Sequence, residues 1–219
     1  MKRARTIVAD DHPLTLEGIR AVLDPHVKIV ETVTNGRALL EAALRLRPDL
    51  IVADITMPQL NGIDAALQIK KFLPDVKILF VTMHVNPAYL EAALHAGATG
   101  YVLKSAVSEE LLDAVQSVLS GRIFVTPTLS SEHFERFRDP AHASAALRLS
   151  TRERDTLQLI AEGHAAKEIA YAMNISVKTV AFHRENIKRK LGLRTTAELT
   201  KHAIEQGLVS AEPFLHREN

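Results

Sequence analysis

The 219-residue chain contains no cysteine, and it also lacks long apolar runs and a strong net charge. Without cysteine, disulfide bonds, thiolate metal sites and cysteine nucleophiles are excluded. No apolar run approaches the roughly 18 residues that a membrane-spanning helix needs. The first letters, MKRARTIVADD, reach two aspartates too early for the apolar region of a signal peptide. We therefore expect a cytoplasmic protein that is not inserted in a membrane.

The net charge of +1 is distributed unevenly along the chain. Residues 1–122 carry 13 Lys or Arg and 14 Asp or Glu, whereas residues 148–219 carry 12 and 9. A positive balance at the C-terminal end is by itself only a weak indication of nucleic-acid binding. The length allows two domains, and the 47% of hydrophobic residues is enough to fill two cores.

The first half of the chain alternates short apolar runs with helical patterns. Predicted strands lie at 6–9, 28–33, 50–53, 77–82 and 100–103, and predicted helices at 13–23, 36–46, 63–72, 87–96 and 108–119. Strands that are apolar throughout and alternate with helices indicate a parallel sheet covered on both faces. We predict a flavodoxin-like, doubly wound, five-stranded α/β domain over residues 1–121.

The second half of the chain has no convincing strand pattern. The letters S-x-x-E at 150–153 form a capping box, which begins a helix that extends to about 161. Further helices are predicted at 167–173, 176–191 and 195–206. We therefore predict an all-α, four-helix domain over residues 147–219. Residues 122–146 are predicted to be a linker that includes a short helix around 131–137.

Polar side chains follow four of the predicted strands. Asp10 and Asp11 follow the first strand, Asp54 follows the third, Thr82 ends the fourth and Lys104 follows the fifth. Because parallel strands present their carboxyl ends at one edge of a sheet, these residues are expected to meet there. Three close carboxylates repel one another, and a divalent cation such as Mg²⁺ relieves that repulsion. With the lysine and the hydroxyl, they predict a phosphoryl-transfer site in which Asp54 is the nucleophile.

Each of these residues also has an ordinary structural explanation. An aspartate just before a helix is often a cap, and a lysine after a strand is usually solvated. Five such residues at successive strand ends favour the site.

The letters VADDHP, DITMPQLNG, VTM and GATGYVLK resemble those of response-regulator receiver domains, over about residues 3–121. The resemblance implies that Asp54 accepts a phosphoryl group from the phosphohistidine of a sensor histidine kinase. It also implies that Asp10, Asp11 and Asp54, with the backbone carbonyl of Thr56, hold Mg²⁺ or Mn²⁺. Lys104 would pair with a phosphate oxygen.

The same resemblance implies a switch at two strand ends. Thr82 would move toward the phosphoryl group, and Tyr101 would rotate inward. A phosphate acts only through contacts that differ between two states, so such a movable pair is required. The alternative for Tyr101 is an aromatic side chain that merely packs at the edge of the sheet.

The predicted helix 176–191 has two different faces. Its apolar face carries Val180, Ile187 and Leu191, which would pack against the neighbouring helices. The opposite face would be free to enter a major groove, with basic residues on phosphates and the early residues on base edges. The residues expected to contact DNA are Lys178, Thr179, Ala181, Phe182, Glu185, Lys188 and Arg189. By periodicity alone, an ordinary amphipathic helix with a solvated face fits almost as well.

The letters LSTRERDTLQLIAEGHAAKEIAYAMNISVKTVAFHRENIKRKLGL resemble the LuxR-type helix-turn-helix of the NarL/FixJ subfamily, over about residues 147–210. The resemblance implies that 167–173 is the scaffold helix, 177–191 the recognition helix and 195–206 a helix often used in dimerisation. Two departures stand out. Ala165-Ala166 replaces a Ser or Thr followed by Asn, and a lost helix cap costs about 1 kcal/mol.

The second departure lies within the recognition helix. Some relatives carry lysine at the positions of Ala181 and Glu185. Here Glu185 could accept a hydrogen bond from cytosine N4, and Ala181 or Phe182 could contact a thymine methyl group. Glu185 could equally pair with Arg189 four residues later, and we favour that pair slightly.

Together the two halves predict a response-regulator transcription factor. Phosphorylation of Asp54 is expected to switch dimerisation and sequence-specific binding to double-stranded DNA. The expected partners are a sensor histidine kinase, a DNA operator and a second copy of the chain, with RNA polymerase as a further candidate. We do not expect a turnover enzyme, although the phosphorylated aspartate can hydrolyse itself.

Two other functions remain open at this point. The first is a Mg²⁺-dependent phosphatase that uses Asp54 as its nucleophile, for which the sequence shows no cap or substrate-binding segment. The second is a phosphate-independent DNA-binding protein whose N-terminal domain serves only as a dimer platform.

Overall fold

A computed structural model of the chain describes residues 3–85, 87–129, 149–206 and 208–209. The chain divides into two compact units, Met1–Ser144 and Ala145–Asn219. The helix predicted around 131–137 and most of the predicted linker lie outside the described residues. None of the helices within the described ranges has the length and apolar character needed to cross a membrane.

The N-terminal unit contains a parallel sheet flanked by helices. Its strands are β1 Arg5–Ala9, β2 Lys28–Val33, β3 Leu50–Ala53, β4 Lys77–Thr82, β5 Gly100–Leu103 and β6 Phe124–Val125, in the order β2-β1-β3-β4-β5-β6. Its helices are α1 Pro13–Leu23, α2 Gly36–Leu46, α3 Gly62–Phe72, α4 Pro87–His95 and α5 Val107–Leu119. This architecture confirms the predicted doubly wound parallel sheet, with one strand more than expected.

Alternate residues of each strand point to opposite faces of the sheet, so the unit has two cores. Ile7, Ile51 and Phe80 pack on the face that α2, α3 and α4 cover. Val8 and Val52 pack on the other face, which α1 and α5 cover. Because both faces of the central sheet are buried, its strands are mostly apolar, as in β3 and β5, and this pattern made them predictable.

The sixth strand lies just beyond the predicted domain boundary at residue 121. Val125 pairs in parallel with Tyr101, and Thr126 N donates to Tyr101 O at 2.9 Å. The Thr126 hydroxyl donates to Glu110 Oε2 at 2.7 Å and accepts from Leu103 N at 3.1 Å. The ordered sheet therefore continues into the segment that was assigned to the linker. A strand of two residues is too short to produce a periodic pattern, so it could not be predicted from periodicity.

In the C-terminal unit, the described residues form four helices, α6 Thr151–Ala161, α7 Ala166–Met173, α8 Val177–Leu191 and α9 Thr196–Glu205. Their shared core includes Leu157, Ile169 and Leu199. The predicted capping box forms, because Ser150 Oγ accepts from Glu153 N at 3.3 Å and Glu153 Oε2 accepts from Ser150 N at 2.7 Å. The four predicted helices of this unit are therefore confirmed.

Candidate functional site

Charged side chains from three strands meet at the carboxyl edge of the sheet. Lys104 Nζ lies 2.7 Å from Asp10 Oδ2 and 2.7 Å from Asp54 Oδ2. Both aspartates are buried. The structure thus brings together the predicted nucleophile, one predicted metal ligand and the predicted phosphate-binding lysine.

Asp11 and His12 complete an oxygen-rich cluster beside this ion pair. One ligand atom from each of Asp10, Asp11, His12 and Asp54 lies within 4.8 Å of the others. Among the described residues, Asp10 Oδ2 and Asp11 Oδ1 are buried oxygens that accept no hydrogen bond. They face nitrogens of ionisable side chains instead, and Asp11 Oδ1 lies 2.9 Å from His12 Nδ1. Carboxylate oxygens at this spacing fit a hard divalent cation. Sequence reasoning had not included His12, although it directly follows the aspartate pair.

Burial dominates the electrostatics of the cluster. It raises the pKa of Asp54 to about 6, although Lys104 pulls that pKa downward. Burial also raises the pKa of Asp11. For Lys104, burial lowers the pKa, but the attraction of Asp54 and Asp10 outweighs it, so the net shift is upward. At neutral pH the Asp54 carboxyl group is therefore mostly ionised, and its charge costs free energy to bury.

This cost predicts that Asp54→Asn stabilises the metal-free protein at neutral pH. The pKa rises from 3.8 to about 6 on folding. Since one pKa unit corresponds to about 1.4 kcal/mol, the ionised group costs on the order of 3 kcal/mol. A raised carboxyl pKa leaves this cost absent below pH 3.8 and complete above about pH 6. Asp54→Asn should therefore raise the unfolding temperature of the N-terminal unit at pH 7. Below pH 3.8 the substitution should leave that temperature unchanged.

Differential scanning calorimetry of the full chain in EDTA, at a series of pH values, measures the effect. The matched control is Asp75→Asn, which neutralises an exposed aspartate and should change little. If Asp54→Asn unfolds at a lower temperature than the wild type at pH 7, the electrostatic interpretation is wrong.

A glycine allows the loop after Asp54 to fold back onto the backbone of Asp54. A Cβ atom on Gly62 would lie 2.1 Å from the carbonyl oxygen of Asp54, which no side chain tolerates. Gly62 N donates to Ile55 O at 2.7 Å, and Asn61 caps α3 by accepting from Ile63 N at 2.9 Å. Asp54 Oδ1 in turn accepts from Ile55 N at 2.6 Å. The start of α3 therefore fixes the backbone around the carboxylate.

The two residues predicted to switch, Thr82 and Tyr101, are joined through His84. Thr82 Oγ1 accepts from His84 N at 3.2 Å, and Tyr101 donates its hydroxyl proton to His84 O at 2.8 Å. The His84 ring lies 2.7 Å from Thr56 Oγ1 through Nε2 and stacks on Tyr89 with ring centroids 4.0 Å apart. Tyr101 is fully buried, so its side chain is turned inward. Sequence reasoning missed His84, and its position two residues after Thr82 was the available signal.

Helix α8 presents most of the predicted DNA-contacting residues to solvent. Ser176 caps its start by accepting from Thr179 N at 3.1 Å, and Gly192 ends it with a φ of 70°. Val180 and Ile187 are buried as predicted. The exposed residues are Lys178, Ala181, Phe182, Glu185 and Arg189, whereas Thr179 and Lys188 are half-buried.

Two local contacts in this unit differ from the prediction or refine it. Glu185 Oε1 pairs with Lys188 Nζ at 3.3 Å, while Arg189 donates to Asn186 Oδ1 at 2.7 Å. The favoured Glu185–Arg189 pair is therefore wrong, because each side chain has a partner three residues away. Ala165 makes no side-chain cap to α7, as expected, but its backbone N donates to Glu168 Oε2 at 2.7 Å. One of the two hydrogen bonds of a capping box, from the backbone of Ala165 to Glu168, is therefore present.

Comparison with known proteins assigns both units to families. Residues 6–116 match the response regulator receiver domain, and residues 147–203 match the bacterial regulatory proteins of the luxR family. The chain is 35% identical over 214 residues to the transcriptional regulatory protein MctR of Rhizobium johnstonii. The aligned region covers 95% of this chain and 96% of MctR. It is 33% identical over 214 residues to the oxygen regulatory protein NreC of Staphylococcus carnosus, covering 94% of this chain and 99% of NreC.

Solved structures agree with these matches. RcsB of Salmonella enterica serovar Typhimurium, bound to promoter P1flhDC in the presence of the phosphomimetic BeF3−, has 30% identity and a TM-score of 0.62. That comparison covers 96% of this chain and 100% of RcsB. An RcsB–DNA complex gives 32% identity and a TM-score of 0.57, over 92% and 98% of the two chains. The chain belongs to the NarL/FixJ family of response regulators, with a receiver domain and a LuxR-type DNA-binding domain.

Proposed function

We propose that this response regulator is phosphorylated on Asp54 by a sensor histidine kinase and then binds an operator as a homodimer to regulate transcription. The observation that carries the proposal is the convergence of Asp10, Asp54 and Lys104 at one sheet edge, with Lys104 Nζ 2.7 Å from both carboxylates. We place its action in the cytoplasm, where it would meet its DNA operator. RNA polymerase is proposed as a further partner.

Asp54 supplies the nucleophile for phosphoryl transfer. A bond forms between an Asp54 oxygen and phosphorus while the bond from phosphorus to the kinase histidine nitrogen breaks, and the imidazole keeps the electron pair. The carboxylate must be ionised to attack, which a pKa of about 6 permits at neutral pH. Ile55 N, 2.6 Å from Asp54 Oδ1, orients the carboxylate. Lys104 Nζ is placed to exchange a carboxylate oxygen for a phosphoryl oxygen.

Asp10, Asp11 and Asp54, with the backbone carbonyl of Thr56, are the residues we assign to Mg²⁺ or Mn²⁺. The spacing of the ligand atoms supports this assignment, because one atom from each of Asp10, Asp11 and Asp54 lies within 4.8 Å of the others. A bound divalent cation would neutralise charge on the phosphoryl oxygens. His12 Nδ1, 2.9 Å from Asp11 Oδ1, holds that carboxylate at the rim of the cluster.

We assign the switch to Thr82 and Tyr101, acting through the backbone of His84. Thr82 Oγ1 accepts from His84 N, so its own hydroxyl proton is available to a phosphoryl oxygen. The Tyr101 hydroxyl holds His84 O from the other side. The loop after β4 is thus tied to both switch residues, and a phosphate that engages Thr82 would favour this inward arrangement of Tyr101.

The DNA-binding surface is the solvent-facing side of α8. Lys178 and Arg189 are exposed there and would bind phosphates, while Ala181, Phe182 and Glu185 would face the bases. The half-buried Thr179 and Lys188 lie beside them and would contact the DNA backbone. RcsB, whose solved structures include two dimers bound to two parallel DNAs, supports a dimer as the binding unit. A dimer doubles the contacts that one short helix makes and sets the spacing of the half-sites.

Gel-shift titration of the full chain tests the proposal directly. The wild type, treated with acetyl phosphate and Mg²⁺, should bind selected duplexes more tightly than the untreated protein, and Asp54→Asn should not respond to the treatment. Equal binding by treated wild type and Asp54→Asn would contradict the phosphoswitch. Absence of binding to any duplex by either protein would contradict the DNA role, and sustained release of phosphate well beyond one equivalent would favour a phosphatase.

A further inference from the structure

Between Lys178 and Arg189, the exposed face of α8 carries no positive charge. Ala181, Phe182 and Glu185 lie at i, i+1 and i+4, opposite the buried stripe of Val180 and Ile187. Phe182 is 64% exposed and the Glu185 side chain is 72% exposed. Burial of this large aromatic side chain against a partner would lower the free energy, since apolar surface gains free energy by burial.

Each cation in the second half of α8 contacts another residue of its own domain. Arg184 donates to the hydroxyl of Thr196, and Lys190 Nζ lies 2.6 Å from Glu153 Oε2. Lys188 pairs with Glu185, and Arg189 with Asn186. Arg189 lies two turns beyond Phe182 on the same face, and the other three cations lie beside or behind that face. Guanine is usually recognised by a bidentate Arg or Lys at its O6 and N7 atoms, and the centre of this face offers neither.

We propose that the operator half-site is recognised through a thymine methyl group by Phe182, and through the N4 amino group of cytosine by Glu185. This inference rests on the proposed function and specifies its DNA target. Apolar side chains pack on the C5 methyl of thymine, and a carboxylate accepts from the N4 amino group of cytosine.

The Glu185–Lys188 ion pair does not stand in the way of this contact. It is an exposed pair three residues apart, and such pairs contribute little free energy in water. When the helix enters the groove, Lys188 can turn to a phosphate while Glu185 turns to a base. Lys188 would then bind the DNA backbone and Glu185 a base. A carboxylate near the phosphates is tolerated only where a hydrogen-bond donor of a base satisfies it.

The test begins with selection of duplexes from a random pool by the phosphorylated full-length wild type, at one fixed salt concentration. Each thymine of the selected half-site is then replaced singly by deoxyuridine, which removes only the 5-methyl group. At one position the replacement should weaken wild-type binding about fourfold to tenfold. Phe182→Ala should bind the thymine and uridine duplexes equally, with the affinity that the wild type has for uridine.

The carboxylate is tested by repeating the selection with Glu185→Lys. The wild type should prefer cytosine at one position by about tenfold over other bases, and Glu185→Lys should prefer guanine there. Glu41→Lys is the matched control, because Glu41 is an exposed glutamate of α2 in the receiver domain. It adds the same charge and should leave the selected sequence unchanged.

Two results would overturn the inference while leaving the proposed function intact. The first is wild-type binding that no single uridine replacement weakens. The second is a selected sequence that is the same for the wild type and Glu185→Lys. If the phosphorylated wild type selects no duplex at all, the proposed function itself fails, so the two failures are distinguishable.

Discussion

Lys104→Met should destabilise the metal-free receiver domain by about 3–5 kcal/mol at pH 7, the largest stability change expected for a single substitution in the site. Lys104 Nζ is the cation that two buried carboxylates share, at 2.7 Å from each. Methionine fills a similar volume but leaves Asp10 and Asp54 facing each other without a counter-charge. One of them must then take up a proton, or both remain ionised at a high cost in free energy.

Three calorimetric comparisons on the full chain isolate this charge effect. Mg²⁺ should restore more stability to Lys104→Met than it adds to the wild type, because it replaces the missing positive charge. The double variant Lys104→Met/Asp54→Asn should recover most of the loss, since one carboxylate is gone. Lys71→Met, which removes an exposed lysine from α3, is the control. A Lys104→Met protein that unfolds at the wild-type temperature in EDTA would show that the ion pair is energetically unimportant.

Most of the fold was predictable because the sheet is buried on both faces. The predicted limits of strands β2 to β5 match the structure, and β1 begins one residue earlier than predicted. Helix limits differ by no more than one residue, because glycine, proline or a capping side chain marks most of the ends. The exception is β6, whose two residues carry no pattern and are held by Thr126 and by pairing with Tyr101.

The candidate site shows a different division between sequence and structure. Its charged members could be listed from the sequence, because strand ends of a parallel sheet converge. The sharing of Lys104 between Asp10 and Asp54 could not, since it depends on side-chain conformations. His84 was missed for a related reason, because most of its contacts with the switch residues use backbone atoms, which no side-chain pattern reports. On α8, the exposed face was predictable, but the choice of Lys188 over Arg189 as the partner of Glu185 was not.

Asp11→Asn is expected to slow the phosphorylation of Asp54 on the order of 100-fold at limiting Mg²⁺, with little loss of stability. Asp11 contributes a carboxylate oxygen to the cluster of ligand atoms that lie within 4.8 Å of one another. Among the described residues, the ion pairs of Lys104 are with Asp10 and Asp54, not with Asp11. The substitution therefore removes a metal ligand and leaves the Asp10–Lys104–Asp54 bridge in place. Burial raises the pKa of Asp11, so replacing it with a neutral group should not destabilise the fold.

The rate of labelling by acetyl phosphate, followed by mass spectrometry of the intact chain across a Mg²⁺ titration, measures this effect. The midpoint for Asp11→Asn should move to higher Mg²⁺, and EDTA should abolish the labelling of both proteins. Asp75→Asn, at an exposed position away from the cluster, should follow the wild-type curve. Identical midpoints for Asp11→Asn and the wild type would remove Asp11 from the metal site. A loss of labelling that no Mg²⁺ concentration restores would instead place Asp11 in the phosphoryl-transfer step. If Asp11 only helps to bind the metal, a high Mg²⁺ concentration fills the weakened site and restores the labelling rate.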